Sequence, residues 1–452
     1  MSYIYEKQHQ QQDLFWWDIQ VILWENFDTN RLVQLAEEID RELYYDAFNE
    51  AYSMSWRWSL PVRQMFWLEL LKHIWKWVSD EYIVEQLRTN VAVMRFCGYK
   101  NIYTAKMHAP KSASSMTHFR NRVSEIPWLA EKIQKIHLKN MVRHVPKKRR
   151  KQFDMDSTVI DESVTYPNDV DLLASICEKG GKLLDKAKKV WWDLVEGIIV
   201  KGRRIAKKLK YSYHFWWRKK EKLKEIREKV AEIWEKVIET VIEAKNKLKE
   251  SSKKEYKKLI KKMEKMVEVW SKIIEQQKEM IRTWTNRIAD RIVSLSKEYV
   301  RPIVKGKVGK KVQFWSKVQI WMIWKKLACV VSVWRDNEHD SKSIKKWIEL
   351  FEEVNGKPPW EFWADKGYRE KSGESYEYMK ENKILNGIQW TKEFNSLDKK
   401  TRKRLYNRRA FTEPMIGNIK WYRWCNINKH KKGNVIMKLI MGSMASNYLR
   451  VY

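Results

Sequence analysis

Apolar residues recur three and four apart through most of residues 1–150, the spacing of one buried helix face. LVQLAEEIDRELYYDAFNEAY has apolar residues at this spacing, and PVRQMFWLELLKHIW repeats the pattern with Pro61 at a first-turn position. Ser79 and Asp80 ahead of EYIVEQLRTNVAVMRF mark a further start, as do Ser114, Ser115 and Thr117 around THFRNRV. FDMDSTVIDE then alternates apolar and polar positions, the period of a strand. From about 170 to 300 the helical spacing returns, with Glu and Lys filling the outward positions. Long antiparallel helices or a coiled-coil hairpin fit the stretch from EKLKEIREK to RTWTNRI (residues 221–288) best, as packing rather than as a cofactor site.

Strand patterns resume in VQFWSKVQIWMI, KLACVVSVWRD, PWEFWADKGY and ILNGIQW. Helices are predicted over ESYEYMKENK, through RRAFTEPMIGNIK, and from NVIMKLIM onward. The order is that of an α/β protein with a mixed sheet, a helical N-terminal domain and a long helical insertion. Its predicted parts are a helical domain over 1–150, a first acidic strand over 151–170, a helical or coiled-coil insertion over 171–300, and the rest of the sheet domain over 301–452.

Charge narrows the partners. The 452 residues hold 91 Lys and Arg against 57 Asp and Glu, a formal net charge of +34. Such an excess says little about fold and much about association, and a polyanion is the natural counter-charge. No apolar run reaches the roughly 18 residues of a membrane span, which favours nucleic acid over lipid. Four cysteines, Cys97, Cys177, Cys329 and Cys425, stand far apart without CxxC spacing. They suit a reducing cytoplasm and argue against a zinc or disulfide framework.

Tryptophan is over-used: 26 residues against 14 glycines. Many stand where turn chemistry wants glycine, as in SWRWSLP, in KPPWEFWADKGY and at Trp324 in the corner before Lys325 and Lys326. Reading them as UGA codons decoded as glycine would restore an ordinary glycine share. The other reading keeps them as core anchors or base-stacking platforms. Under the first, indoles are expected at loops and strand ends, often exposed.

Three acids stand in distinctive frames: Asp156 in FDMDSTVIDE, Asp365 in WADKGYRE and Glu413 in RRAFTEPMIGNIK. Two strands and a helix that bring carboxylates together supply what a pair of divalent cations needs for in-line attack at phosphorus. Asp154 lies on the same strand face as Asp156 and rivals it as first ligand. Asp161 and Glu162 fit solvent-facing positions. In order along the chain, DSTVIDESVTYPNDVDLL, VRPIVKGKVGKKVQFWSKVQI, WADKGYR and TEPMIGNIK resemble bacterial insertion-sequence transposases of the cut-and-paste DDE type. Upstream, SLPVRQMFWLELLKHIWKWVSDEYIVEQ and SSMTHFRNRV resemble the helical N-terminal region of the same group, so the resemblance leaves only the middle helical block unmatched in detail.

The resemblance implies an RNase-H-like catalytic domain, with the insertion between its first and second catalytic strands. It implies two Mg2+ (or Mn2+) ions, with Asp156 bridging, Asp365 on one and Glu413 on the other. It also implies cleavage at the element's terminal inverted repeats, then attack of the freed 3′-hydroxyl on target DNA by a homodimer or larger assembly associated with the nucleoid. Its N-terminal region would read terminal DNA, although the spacing here serves a helical cap equally well.

Lys366 and Arg369 follow Asp365 closely, with Tyr368 between them, and could hold the cleaved strand. Arg409 and Lys420 flank Glu413 on its helix and suit phosphate contacts. Lys148, Arg149 and Arg150, in the run VPKKRRKQF, form either a solvated linker or a phosphate contact beside the first acidic strand. RPIVKGKVGKKV suits a loop against a DNA backbone and lacks the spacing of a nucleotide loop. His339 in DNEHDS is either an outer support for the acids or a structural histidine. Two other functions stay open: a catalytically inactive, transposase-derived DNA-binding protein, and a helical scaffold for RNA or acidic partners.

Overall fold

A computed structural model describes residues 29–51, 62–161, 169–188, 220–250, 256–304, 312–334, 339–370, 373–420 and 432–452, apart from isolated positions within them. The chain divides into two units: residues 1–160, 317–334 and 338–452 form one, and 161–316 with 335–337 the other.

The larger unit begins with short helices whose starts follow local capping chemistry. Asn30, Ser79, Asn90 and Asn101 each accept main-chain N–H bonds from the first turn of the helix that follows. Each such cap is worth about 1 kcal/mol. Ser79 therefore starts Asp80–Thr89, as its sequence suggests. The helically spaced stretch from Leu32 forms two helices, Arg31–Glu38 and Glu42–Ala51. Ile39 breaks it by taking an extended backbone with its side chain buried in the core.

Five strands form this unit's sheet. They are β1 (Gln152–Asp161), β3 (Val312–Trp324, entering from the other unit), β4 (Leu327–Trp334), β5 (Glu361–Ala364) and β6 (Leu385–Ile388). β4 pairs antiparallel with β3, β3 neighbours β1, and β1, β5 and β6 run parallel. Period-two alternation divides their side chains between the faces. Phe153, Met155, Trp321, Cys329 and Val331 join the core shared with the N-terminal helices. Ile160, Val318, Ile320, Met322, Ala328 and Val330 pack beneath the helix Arg409–Ile419 and part of the helix Lys432–Val451. Phe153 anchors the first face with ring contacts to Trp321 and Phe351 at 5.0 Å and Phe362 at 5.4 Å.

The helix Lys432–Val451 ties the N-terminal helices to the sheet. Asn447 is fully buried and bonds the main chain of Ala328 on β4, while its Nδ2 also lies 2.9 Å from His137 Nε2. Beside it, the Tyr44 and Tyr448 hydroxyls meet at 2.7 Å. Gln134 donates to the Val330 carbonyl, so side chains supply partners along a strand that pairs only with β3 among the described strands. Capping an edge in this way blocks its pairing with other chains.

In the smaller unit, the helices Lys220–Glu250 and Lys257–Thr283 pack together through Trp234, Val237, Trp270 and Ile273. Ion pairs Lys249–Glu264 and Glu235–Lys278 fix an antiparallel register, since one partner's number falls as the other's rises. A third helix, Asp169–Lys188, packs on the first of these. At Gly180 an added Cβ would stand 2.8 Å from Val237 Cγ1, so the close approach requires glycine. In the same unit β2 (Arg301–Val304) pairs antiparallel with the first residues of β3, Arg301 opposite Trp315 and Val304 opposite Val312. The basic loop expected between these strands lies outside the described residues, as do Lys325, Lys326 and residues 189–219.

Candidate active site

β1 and β5 pair in parallel with Gln152 opposite Glu361 and Asp154 opposite Trp363. Carried two residues further, that register sets Asp156 beside Asp365, one strand spacing apart. Both acids thus emerge where the two strands end their pairing. Asp365 caps the short turn Lys366–Tyr368, its Oδ1 accepting from Gly367 N at 2.7 Å. A Cβ at Gly367 would stand 2.9 Å from that oxygen, which explains the glycine. Glu413 is exposed on the helix Arg409–Ile419, whose Met415, Ile416 and Ile419 bury against the sheet. Pro414 follows it inside the helix and removes one main-chain donor, which leaves the Ala410 carbonyl without its helical partner.

Asp156 feels the charges around it. Burial pushes the Asp156 carboxyl up to about 7, and the charges of Asp365, Asp340 and Glu413 add to that push. The Ser157 N–H, 2.7 Å from Asp156 Oδ1, opposes it. Among the described residues, no three Asp, Glu, His or Cys side chains close tightly around one ion-sized point. The carboxylates are grouped, then, without forming a closed cage.

Asp154 differs in kind from Asp156. Burial raises its carboxyl too, but the Arg408 guanidinium bonds it directly and pulls the other way. Arg408 is itself buried and also bonds Glu361, which Arg404 holds through both oxygens at 3.0 and 2.7 Å. Asp154 therefore belongs to a compensated ion network, whereas Asp156 sits among charges of its own sign. Spacing along β1 could not separate the two, because both point to the same face.

The cations named from sequence fall in different surroundings. Lys366 and Arg369 are exposed on either side of the Asp365 turn, and Lys148 and Arg149 are exposed ahead of β1. Arg149 donates to Gln152 Oε1 at 2.7 Å. Arg150 is half-buried and donates to the carbonyls of Val145 and Arg143, both at 2.8 Å. Lys420 is half-buried just past the helix that carries Glu413, and Arg409 opens that helix with its side chain outside the described residues. Tyr368 is fully buried, with its hydroxyl in the field of Asp340, Asp156 and Asp365.

His339 caps the turn Asp340–Ser343, its Nδ1 2.8 Å from Ser341 Oγ. That is a structural role. The next residue is the one that sequence reasoning passed over. Asp340 is buried, paired with Lys317 Nζ at 2.7 Å and bonded by Ser157 Oγ at 3.2 Å. Its only signal in the sequence is the acidic string around His339.

The tryptophans divide. Trp360 and Trp390 are exposed, and Trp390 holds a left-handed φ of +67°. Trp67, Trp234, Trp270, Trp321 and Trp363 are fully buried, and of these Trp67, Trp234, Trp321 and Trp363 have indole N–H groups without a hydrogen-bond partner. Cys97 and Cys329 are buried free thiols, and no described helix is long and apolar enough to cross a membrane.

No curated protein and no solved structure matches the chain. Residues 23–122, which hold most of the N-terminal helices, match the family described as Transposase domain (DUF772), and this match supports a transposase family for the chain.

Proposed function

We propose that this protein is a metal-dependent DNA transposase of the DDE type, with Asp156, Asp365 and Glu413 as its catalytic carboxylates. The observation that carries this reading is the parallel register that brings Asp156 and Asp365 to adjacent strand ends, with the Glu413 charge also acting on Asp156, in a chain with a transposase domain match. The strand order β4–β3–β1–β5–β6, antiparallel on one side and parallel on the other, supports an RNase-H-like catalytic domain. The helices of the smaller unit enter between β1 and β3, as an insertion between the first two catalytic strands would.

The donor set fits hard divalent cations. Its oxygens are carboxylates: burial and the neighbouring Asp365, Asp340 and Glu413 charges raise the Asp156 carboxyl, which a divalent cation would reverse, whereas Asp154 is already bonded by Arg408. An open arrangement also suits two ions that complete their shells with water and substrate phosphate. Asp156 would serve both sites, Asp365 one and Glu413 the other. Mg2+ or Mn2+ bound there would supply Lewis-acid stabilisation of the charge that develops at the scissile phosphate.

The remaining work falls to the protein's own groups. Lys366 and Arg369 hold the strand beside Asp365, and Arg409 and Lys420 hold phosphates along the Glu413 helix. Lys148 and Arg149, with Arg150 bracing their segment, extend the positive track toward β1. The two reactions are hydrolysis at the element's terminal inverted repeats and attack of the 3′-hydroxyl on target DNA. Both are carried out by a homodimer or larger assembly on DNA in the nucleoid. A catalytically inactive derivative is disfavoured, because all three carboxylates are retained and grouped.

The test uses oligonucleotides bearing the inverted repeats that flank the gene, with Mg2+ or Mn2+. Asp156→Asn, Asp365→Asn and Glu413→Gln should each reduce cleavage to the no-enzyme level while DNA binding persists. Cleavage surviving any one of them removes that residue from the site.

A further inference from the structure

Ser157 makes two bonds in opposite directions. Its N–H donates to Asp156 Oδ1 at 2.7 Å, and its Oγ–H donates to Asp340 Oδ2 at 3.2 Å. Asp340 is held in turn from several sides. Lys317 Nζ reaches its Oδ2 at 2.7 Å, and Gln319 Nε2 reaches its Oδ1 at 3.3 Å. Gln319 is completely buried and locked as well: its Nε2 donates to Ser343 Oγ at 2.9 Å, and its Oε1 accepts from Ser332 Oγ at 2.9 Å and Trp347 Nε1 at 2.7 Å. A chain of fixed bonds thus runs from the interior of β3 and β4 to the residue beside Asp156.

A second feature points into the same place. The Tyr368 hydroxyl is completely buried and meets no partner in full hydrogen-bonding geometry, yet Asp340, Asp156, Asp365 and Ser157 surround it. A buried donor without a bond is uncommon in a folded core. Here the acceptors beside it are the Ser157 hydroxyl and the carboxylates, so Tyr368 belongs to the same buried cluster.

We propose that Asp340, with its counter-ion Lys317, is a positioning residue for the carboxylate centre: through Ser157 it fixes the orientation in which Asp156 receives a divalent cation. The inference rests on the reading of Asp156 as a metal-binding acid and adds a fourth acid with a separate task. Lys317 is what makes that task separate. Its ammonium neutralises Asp340, which leaves Asp340 an acceptor for Ser157 rather than a further open ligand. Groups that orient a metal ligand typically change metal affinity or activity by about 10- to 100-fold when removed.

The experiment titrates Mn2+ into DNA-free protein by calorimetry and follows melting temperature, DNA affinity and strand cleavage in parallel. Asp340→Asn keeps the side chain's shape and removes its charge. It should weaken Mn2+ binding about tenfold and lower kcat for cleavage with DNA affinity unchanged, while loss of the Lys317 pair lowers the melting temperature. Mn2+ binding and cleavage equal to wild type in a folded Asp340→Asn protein would overturn the proposal. If that variant does not fold, Ser157→Ala decides: it keeps the Asp340–Lys317 pair and cuts only the bridge. Weaker Mn2+ binding in Ser157→Ala supports the proposal, and unchanged binding overturns it. Asp156→Asn separates the two levels of argument. If Asp156→Asn itself binds Mn2+ like wild type, the active-site reading fails; if it loses binding while Asp340→Asn and Ser157→Ala do not, only the positioning role fails.

Discussion

Asn447 treats Ala328 as a neighbouring strand would: its Oδ1 accepts from the Ala328 N–H at 3.1 Å and its Nδ2 donates to the Ala328 carbonyl at 3.0 Å. Replacing it with Ala or Leu strands both buried main-chain groups at once. Each unsatisfied group costs about 1–3 kcal/mol, so Asn447→Leu should lose roughly 2–5 kcal/mol. Urea unfolding of variant and wild type measures the difference. A loss under about 1 kcal/mol would mean that water or another side chain substitutes for the amide.

Arg408 makes a comparable prediction for charge. It is the buried counter-ion shared by Asp154 and Glu361. Arg408→Met should destabilise by about 3–5 kcal/mol, because two carboxylates are left without their common partner. Adding Asp154→Asn to Arg408→Met should recover part of the loss. Thermal melts of the single and double variants check both statements, and additivity of the two changes would contradict the shared network.

Acid should unfold the protein through two histidines. Burial lowers His137 to about 3 and His73 to about 4, both from an ordinary 6.5. The unfolded chain therefore binds protons that the folded chain refuses. The stabilisation is complete above pH 6.5 and drains away as pH falls toward those folded values. Each histidine contributes a slope of about 1.4 kcal/mol per pH unit over that window. Below pH 7 the raised Asp156 carboxyl takes up its proton first in the folded chain and offsets part of that loss. Urea midpoints of Asp156→Asn, measured from pH 7.5 to 5, should therefore fall more steeply than those of wild type; a flat Asp156→Asn profile would show that neither ring is buried and neutral.

Trp390 carries a bulky side chain at a φ of +67° with most of its surface exposed. The left-handed region costs a non-glycine residue about 1–2 kcal/mol. Trp390→Gly should raise stability by up to about 1 kcal/mol, net of glycine's greater chain entropy. Unchanged or lower stability would mean that the indole makes contacts worth more than the strain. A UGG codon at this position would separately end the glycine reading of the gene.

The sequence carries the strands and the three framed acids because period two and short motifs are local properties. Phe153 and Met155 against Asp154 and Asp156 predict both faces of β1 without reference to any other element. That same parity cannot rank Asp154 against Asp156. The distinction is made by Arg408, 254 residues from Asp154 in sequence. Asp340 is hidden for a related reason: its significance comes from Ser157 and Lys317, which only folding brings to it. The break at Ile39 is invisible in periodicity, because Ile39 stays apolar and buried and only its backbone departs from the helix. Exposed cations such as Lys366 are legible as charge, while the diversion of Arg150 onto two carbonyls is not.

The hydroxyl pair of Tyr44 and Tyr448 joins positions 404 residues apart. The helices around Tyr44 therefore remain without part of their lining until synthesis has passed Tyr448. Contacts of such span slow folding and prolong the life of half-formed, sticky intermediates. Termination upstream of Tyr448 should therefore leave the helices around Tyr44 incompletely packed and exposed to aggregation.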